Sequence, residues 1–117
     1  MGGFALGSGN PANNYGKTVT YVPVAQGAAG TTQLVAASAG NRHKIVGALL
    51  TITLAGTVKF IDGSGDLTGA MTTAAAGGFV WATDPRFPLI VTAVNSALSL
   101  VTTLGAAAGV VLIVTEP

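Results

Sequence analysis

Side chains able to do acid–base or ligand chemistry are few in this sequence, and their spacing limits what they can do. The 117 residues hold four carboxylates (Asp62, Asp66, Asp84 and Glu116), five Lys or Arg, one histidine (His43) and no cysteine. A transition-metal site takes three or four ligands from His, Cys and carboxylate. One imidazole with scattered carboxylates does not assemble that set, so no metal site is expected. His43 as a general base would need a presented nucleophile, and no serine stands in a Gly-x-Ser-x-Gly elbow. Ser8 and Ser64 each sit in Gly-Ser-Gly, which is turn chemistry. His43 therefore reads as the opening residue of a strand at a wet turn.

Asp62-Gly63-Ser64-Gly65-Asp66 places oxygen donors at alternate positions, as a calcium loop begins. Such a loop wants glycine at its sixth position and glutamate at its twelfth. Leu67 and Thr73 stand there instead, so the segment reads as a hairpin turn. Asp84 and Arg86 read as a local ion pair at a proline corner, and the penultimate Glu116 as a solvated side chain. Nothing suggests a sugar cleft around paired carboxylates, since Trp81 is the one tryptophan. No glycine-rich turn links a strand to a helix, so no phosphate cradle is expected. Arg42-His43-Lys44 is the one basic cluster: a solvated strand end, or alternatively a contact for an acidic partner surface. No catalytic residue, no cofactor and no enzymatic activity are expected.

The elements that would position these groups are short strands. Residues 1–17 read as an extended arm, rich in Gly and Asn, in which Phe4, Leu6 and Tyr15 are the side chains worth burying on a neighbour. Residues 18–117 read as one domain. Strands are expected at 18–24, 32–37, 43–55, 57–61, 67–71, 79–82, 89–94, 97–103 and 110–115, separated by turn clusters. The clearest alternation sets Leu50, Ile52 and Leu54 on one face and Thr51 and Thr53 on the other. The alanine runs are each cut by glycine too soon for a helix. About eight strands of this length predict an all-β fold: an antiparallel, jelly-roll-like β-sandwich carrying the N-terminal arm. Its expected core is Val46, Leu50, Ile52, Leu54, Val58, Phe60, Leu98, Leu100, Leu112 and Val114.

Half of the residues are hydrophobic, 8% are charged, and the formal net charge is +1. An average domain of this length would carry roughly 29 charged residues; nine are present. So few charges leave the exterior poorly solvated and point to coverage by neighbouring subunits. So few basic groups argue against nucleic-acid binding. Mean hydropathy is +0.64, and residues 88–115 contain no charge. That stretch exceeds the roughly 20 residues of a membrane helix, and its Gly105-Ala106-Ala107-Ala108-Gly109 fits a packed-helix motif. Thr92, Asn95, Ser96, Ser99, Thr102 and Thr103 interrupt it, and its Val and Ile favour strands. No membrane span or signal peptide is expected.

Several segments together resemble small tailed-bacteriophage β-sandwich proteins, among them capsid decoration or cement proteins. They are Leu67-Thr68-Gly69-Ala70-Met71, Ala76-Gly77-Gly78-Phe79-Val80, Pro85 and Pro88, Ala97-Leu98-Ser99-Leu100, and the closing Gly109-Val110-Val111-Leu112-Ile113-Val114. Lys44-Ile45-Val46 and the Leu50–Leu54 alternation precede them. The resemblance covers roughly 43–115, departs at the Asp84–Pro88 corner and defines no catalytic residue. It implies a non-enzymatic virion protein, made in the host cytoplasm, that reinforces the outer capsid surface. The implied partners are copies of itself, as a trimer or dimer, and the major capsid protein. Expected contact residues are Phe4, Leu6 and Tyr15 in the arm and Arg42, Lys44 and Arg86 at loop tips. The alternative is a receptor- or glycan-binding module, or a tail or fibre component.

Overall fold

The structure, a computed structural model, describes residues 16–117. Phe4, Leu6 and Tyr15 lie outside the described residues. Ten strands follow in chain order: β1 (Thr20–Gln26), β2 (Gly30–Val35), β3 (Arg42–Ile52), β4 (Gly56–Asp62), β5 (Gly65–Asp66), β6 (Met71–Thr73), β7 (Gly78–Ala82), β8 (Ile90–Val91), β9 (Leu98–Thr102) and β10 (Ala107–Glu116). Among the described residues there is no helix, hence none long and apolar enough to cross a membrane.

All pairings are antiparallel and form two sheets. The first runs β1-β10-β3-β7, with β8 also paired to β3; the second runs β2-β9-β4-β5, with β6 also paired to β4. If β5 with β6, and β7 with β8, count as two interrupted strands, the eight strands fall in the orders 1-8-3-6 and 2-7-4-5. That is the strand order of a jelly roll. The expected all-β sandwich is therefore the fold of this chain.

The core lies between the sheets. Val24, Ile45, Leu50, Ile52, Val111 and Ile113 from the first sheet meet Val58, Phe60, Leu98 and Leu100 from the second. Hydroxyl-bearing turns latch the sandwich at one end. Thr53 N donates to the Ala106 carbonyl at 3.0 Å, and Ala106 N to Thr53 Oγ1 at 2.8 Å. Thr57 N donates to Thr103 Oγ1 at 2.8 Å. Gly109 of β10 stands opposite Leu50 of β3. Its φ is +147°, and a Cβ there would collide with the Leu49 carbonyl, so only glycine fits.

Several sequence expectations need correction. Leu54 leaves β3 and is 53% exposed in the turn before β4. In β10 the core residues are Val111 and Ile113, while Leu112 is half-buried on the opposite face. Val46 and Val114 are buried but stand outside the core cluster. Alternation with Val111 and Ile113 turns Leu112 and Val114 away from the core, and a bulge accounts for Val46: Leu112 pairs with Gly47 but Ile113 with Ile45, so Val46 is an extra residue. Residues 67–70 are not a strand; β5 ends at Asp66 and β6 begins at Met71. The strand expected over 89–94 shrinks to Ile90–Val91.

Candidate interaction face and apolar cleft

The carboxylates and the histidine serve the fold. Asp62, 7% exposed, closes the β4–β5 hairpin, with Gly63-Ser64 as its loop. Its Oδ1 accepts from Ser64 N at 2.8 Å and Ser64 Oγ at 2.7 Å, and its Oδ2 from Ala93 N at 2.7 Å. Burial alone would raise this carboxyl, but hydrogen bonds from Ala93, Ser64 and Gly65 outweigh it and hold it below the ordinary aspartate value. Asp66 pairs instead with Lys59 at 3.1 Å. Among the described residues, no three His, Asp or Glu side chains gather as a metal site would require.

His43 opens β3 almost fully buried, at 1% exposed, so its surroundings are not the wet turn expected. Its Nε2 donates to the Ala36 carbonyl at 2.8 Å, and Nδ1 lies 2.9 Å from Thr115 Oγ1. The ring thus joins β3 and β10 to the segment leaving β2. Glu116, expected in solvent, is clasped by Lys17 at 2.8 Å and Lys44 at 2.9 Å. Hydrogen bonds from Lys17 and then Lys44 hold its carboxyl below the usual glutamate value. Lys17, the last residue of the expected arm, is thereby anchored to the sandwich.

The other two basic residues singled out in sequence make different contacts. Arg42 is exposed and donates to the Thr92 carbonyl at 3.3 Å. Arg86 forks onto Asp84, Nη2 to Oδ2 at 2.9 Å, the corner ion pair anticipated above. Its guanidinium also stands 5.4 Å from the Phe87 ring centre. Arg42 and Lys44 share the outer side of β3, two residues apart, and Arg86 lies at a separate corner.

What sequence reasoning missed is a difference between the two outer faces. Alternation and register set Pro23, Val110, Leu49 and Val80 in one row across the first sheet, with Tyr21, Leu112, Gly47 and Ala82 in the next. Tyr21 is 54%, Leu49 49% and Val80 71% exposed. Charge on this face is confined to one end, at the Lys17–Glu116–Lys44 clasp and the neighbouring Arg42. The second sheet turns outward mainly Thr31, Gln33, Ser99, Thr57 and Thr72 and the Lys59–Asp66 pair, with Val101 and Ile61 half-buried among them. One face suits water and the other suits another apolar surface. The usable signal lay in residues 79–82, where both alternating sets are apolar: a one-sided strand would have made one set polar.

Beside β7 the sandwich opens into a cleft of about 490 Å³, walled by Leu67, Met71, Phe79, Trp81, Leu89 and Ile90. Phe79 and Trp81 stack at 5.6 Å and 23°, and Trp81 meets Phe60 edge-on at 6.1 Å and 87°. The Trp81 indole N–H is buried with no hydrogen-bond partner among the described residues. Leu89 in its wall is 61% exposed, so apolar surface continues to the cleft rim. This arrangement offers burial, with no pair of groups placed to move a proton or hold an ion. No protein-family model, curated protein or solved structure matches the chain.

Proposed function

We propose that this chain is a non-enzymatic structural protein that oligomerises and packs the outer face of its β1-β10-β3-β7 sheet onto the outside of a bacteriophage capsid, as a decoration or cement protein does. The observation that carries the reading is that outer face, apolar in successive rows from Pro23 to Val80 and from Tyr21 to Ala82, on a chain of nine charges. Covering several hundred Å² of it at about 25 cal/mol per Å² contributes on the order of 10 kcal/mol before association costs. Repeated over a shell, contacts of that size resist internal pressure. The charged clasp at one end fits a polar rim around an apolar centre.

The capsid as partner comes from the sequence resemblance, with Phe4, Leu6 and Tyr15 as further contact residues proposed for it. A glycan-binding role is favoured less. Such sites place several polar groups around a ligand, and the cleft beside β7 has Thr68 as its one hydroxyl.

The test is cosedimentation of the chain with mature heads of the phage that encodes it, alongside Leu49→Lys and a chain lacking residues 1–15, which keeps Lys17. The full chain is expected to pellet with heads, and Leu49→Lys to bind at least tenfold more weakly with an unchanged β circular-dichroism spectrum. The shortened chain is expected to fold and to lose particle binding. Heads that leave the full chain in the supernatant, or a lysine variant that binds as well, would overturn the reading.

A further inference from the structure

We infer that β7 is the edge at which two copies of this chain join, pairing β7 with β7 about a two-fold axis through Val80, so that two first sheets become one. The inference rests on the oligomeric reading above and names its geometry. Ile52 N donates to the Gly77 carbonyl at 2.8 Å and Thr83 N to the Val46 carbonyl at 2.7 Å. Between these bonds β7 pairs with β3 in unbroken register, from Thr51↔Gly78 to Gly47↔Ala82. Hydrogen-bonded pairs alternate in such a ladder, so Phe79 and Trp81 spend their main-chain groups on β3. The N–H and C=O of Gly78, Val80 and Ala82 point away from the sheet, and no described strand pairs with that side.

This edge is self-complementary. Setting Val80 opposite Val80 of the second copy sets Gly78 opposite Ala82, so all three outward residues find partners. On the inner side, Phe79 of one copy then faces Trp81 of the other and continues the aromatic stack. On the outer side the Pro23–Val110–Leu49–Val80 row runs on into its mate, doubling the apolar face. No like charges are opposed: β7 carries none, and the nearby Asp84 and Arg86 neutralise each other at 2.9 Å.

Area favours the same edge. A stable interface of ordinary size removes about 800 Å² from each partner, more than five residues of strand edge supply. Leu89, 61% exposed in the cleft wall beside Val80, adds apolar surface alongside. The other sheet edges are less suited: β1 carries Pro23 at its centre, β2 is Thr- and Gln-rich, and β5 and β6 have two and three residues. β7 has neither a proline nor a charge to discourage pairing.

The chain contains no cysteine, so single thiols report the geometry directly. In the paired edge the two Val80 Cα atoms stand about 5.5 Å apart, within disulfide range. The two Leu49 positions lie three strand spacings apart, roughly 14 Å. Val80→Cys is expected to cross-link into a covalent dimer with the shortest bifunctional thiol reagents or by oxidation, at least tenfold faster than Leu49→Cys. Val80→Lys is expected to weaken self-association at least tenfold in sedimentation while keeping the β spectrum. Equal cross-linking of the two cysteine variants, or Val80→Lys associating as the unaltered chain does, overturns the β7 pairing and leaves an oligomer of another geometry. An unaltered chain that stays monomeric overturns the oligomeric reading along with it.

Discussion

Replacing Asp62 tests whether the hairpin carboxylate is a structural clamp. Its two oxygens accept three bonds of 2.7–2.8 Å, from Ser64 N, Ser64 Oγ and Ala93 N. Asp62→Asn keeps the size but turns one acceptor into a donor. If the amide oxygen stays toward Ser64, the new NH₂ faces the Ala93 N–H; if it flips, two donors from Ser64 meet the NH₂. Either orientation leaves a buried donor unpaired, which costs about 1–3 kcal/mol, and weakens the bonds that remain. A loss of about 2–3 kcal/mol is expected at pH 7. Asp62→Ala, which frees all three donors, should lose about 3–4 kcal/mol on the same principle. Because the folded-state carboxyl is held below its ordinary value, its contribution is fully present above the unfolded pKa. It fades as pH falls through the lower, folded value. The gap between the unaltered chain and Asp62→Asn should therefore be constant from neutral pH to about pH 5 and narrow below about pH 4. Urea unfolding at fixed protein concentration, followed by circular dichroism from pH 7 to pH 2.5, reads this out. A gap under about 0.5 kcal/mol at pH 7, or one unchanged through the acid range, would refute the clamp.

Three further outcomes follow from the same structure. Glu116→Gln should cost no more than about 1 kcal/mol, since the pairs it breaks are a quarter exposed; the difference from the unaltered chain should shrink in high salt and below about pH 4 in denaturant titrations. Gly109→Ala should cost at least about 3 kcal/mol, or prevent folding, because it combines an unfavourable φ with a collision against the Leu49 carbonyl; expression yield and thermal unfolding check this. Ala76→Gly should stabilise the chain by about 0.5 kcal/mol in thermal unfolding, since Ala76 sits at φ +57° and the relief exceeds the entropy that glycine adds to the unfolded chain.

The fold was legible where local chemistry is decisive. Asp62-Gly63-Ser64-Gly65 makes a hairpin because its glycines and Asx bonds allow little else, and Leu50-Thr51-Ile52 declares its inner face by alternation. Legibility failed where a run is apolar throughout. Val110–Val114 offers no polar residue to set its phase, so nothing local separates Leu112 and Val114 from the core residues Val111 and Ile113. The bulge at Val46 and the exit of Leu54 into a turn are decided by neighbouring strands, which local sequence does not specify. His43 and Glu116 were misplaced for a related reason: their partners, Ala36, Thr115, Lys17 and Lys44, arrive through the sheet order. The apolar outer face was hidden in the same way, because Tyr21, Leu49 and Val80 come from three strands that only the jelly-roll order brings onto one side.

The central claim is that this chain works as an oligomer and not as a lone molecule, and sedimentation equilibrium of the isolated chain at neutral pH tests it most directly. A concentration-dependent mass rising to a multiple of 11.4 kDa is expected. A single species of 11.4 kDa that persists to high concentration without aggregating would contradict it.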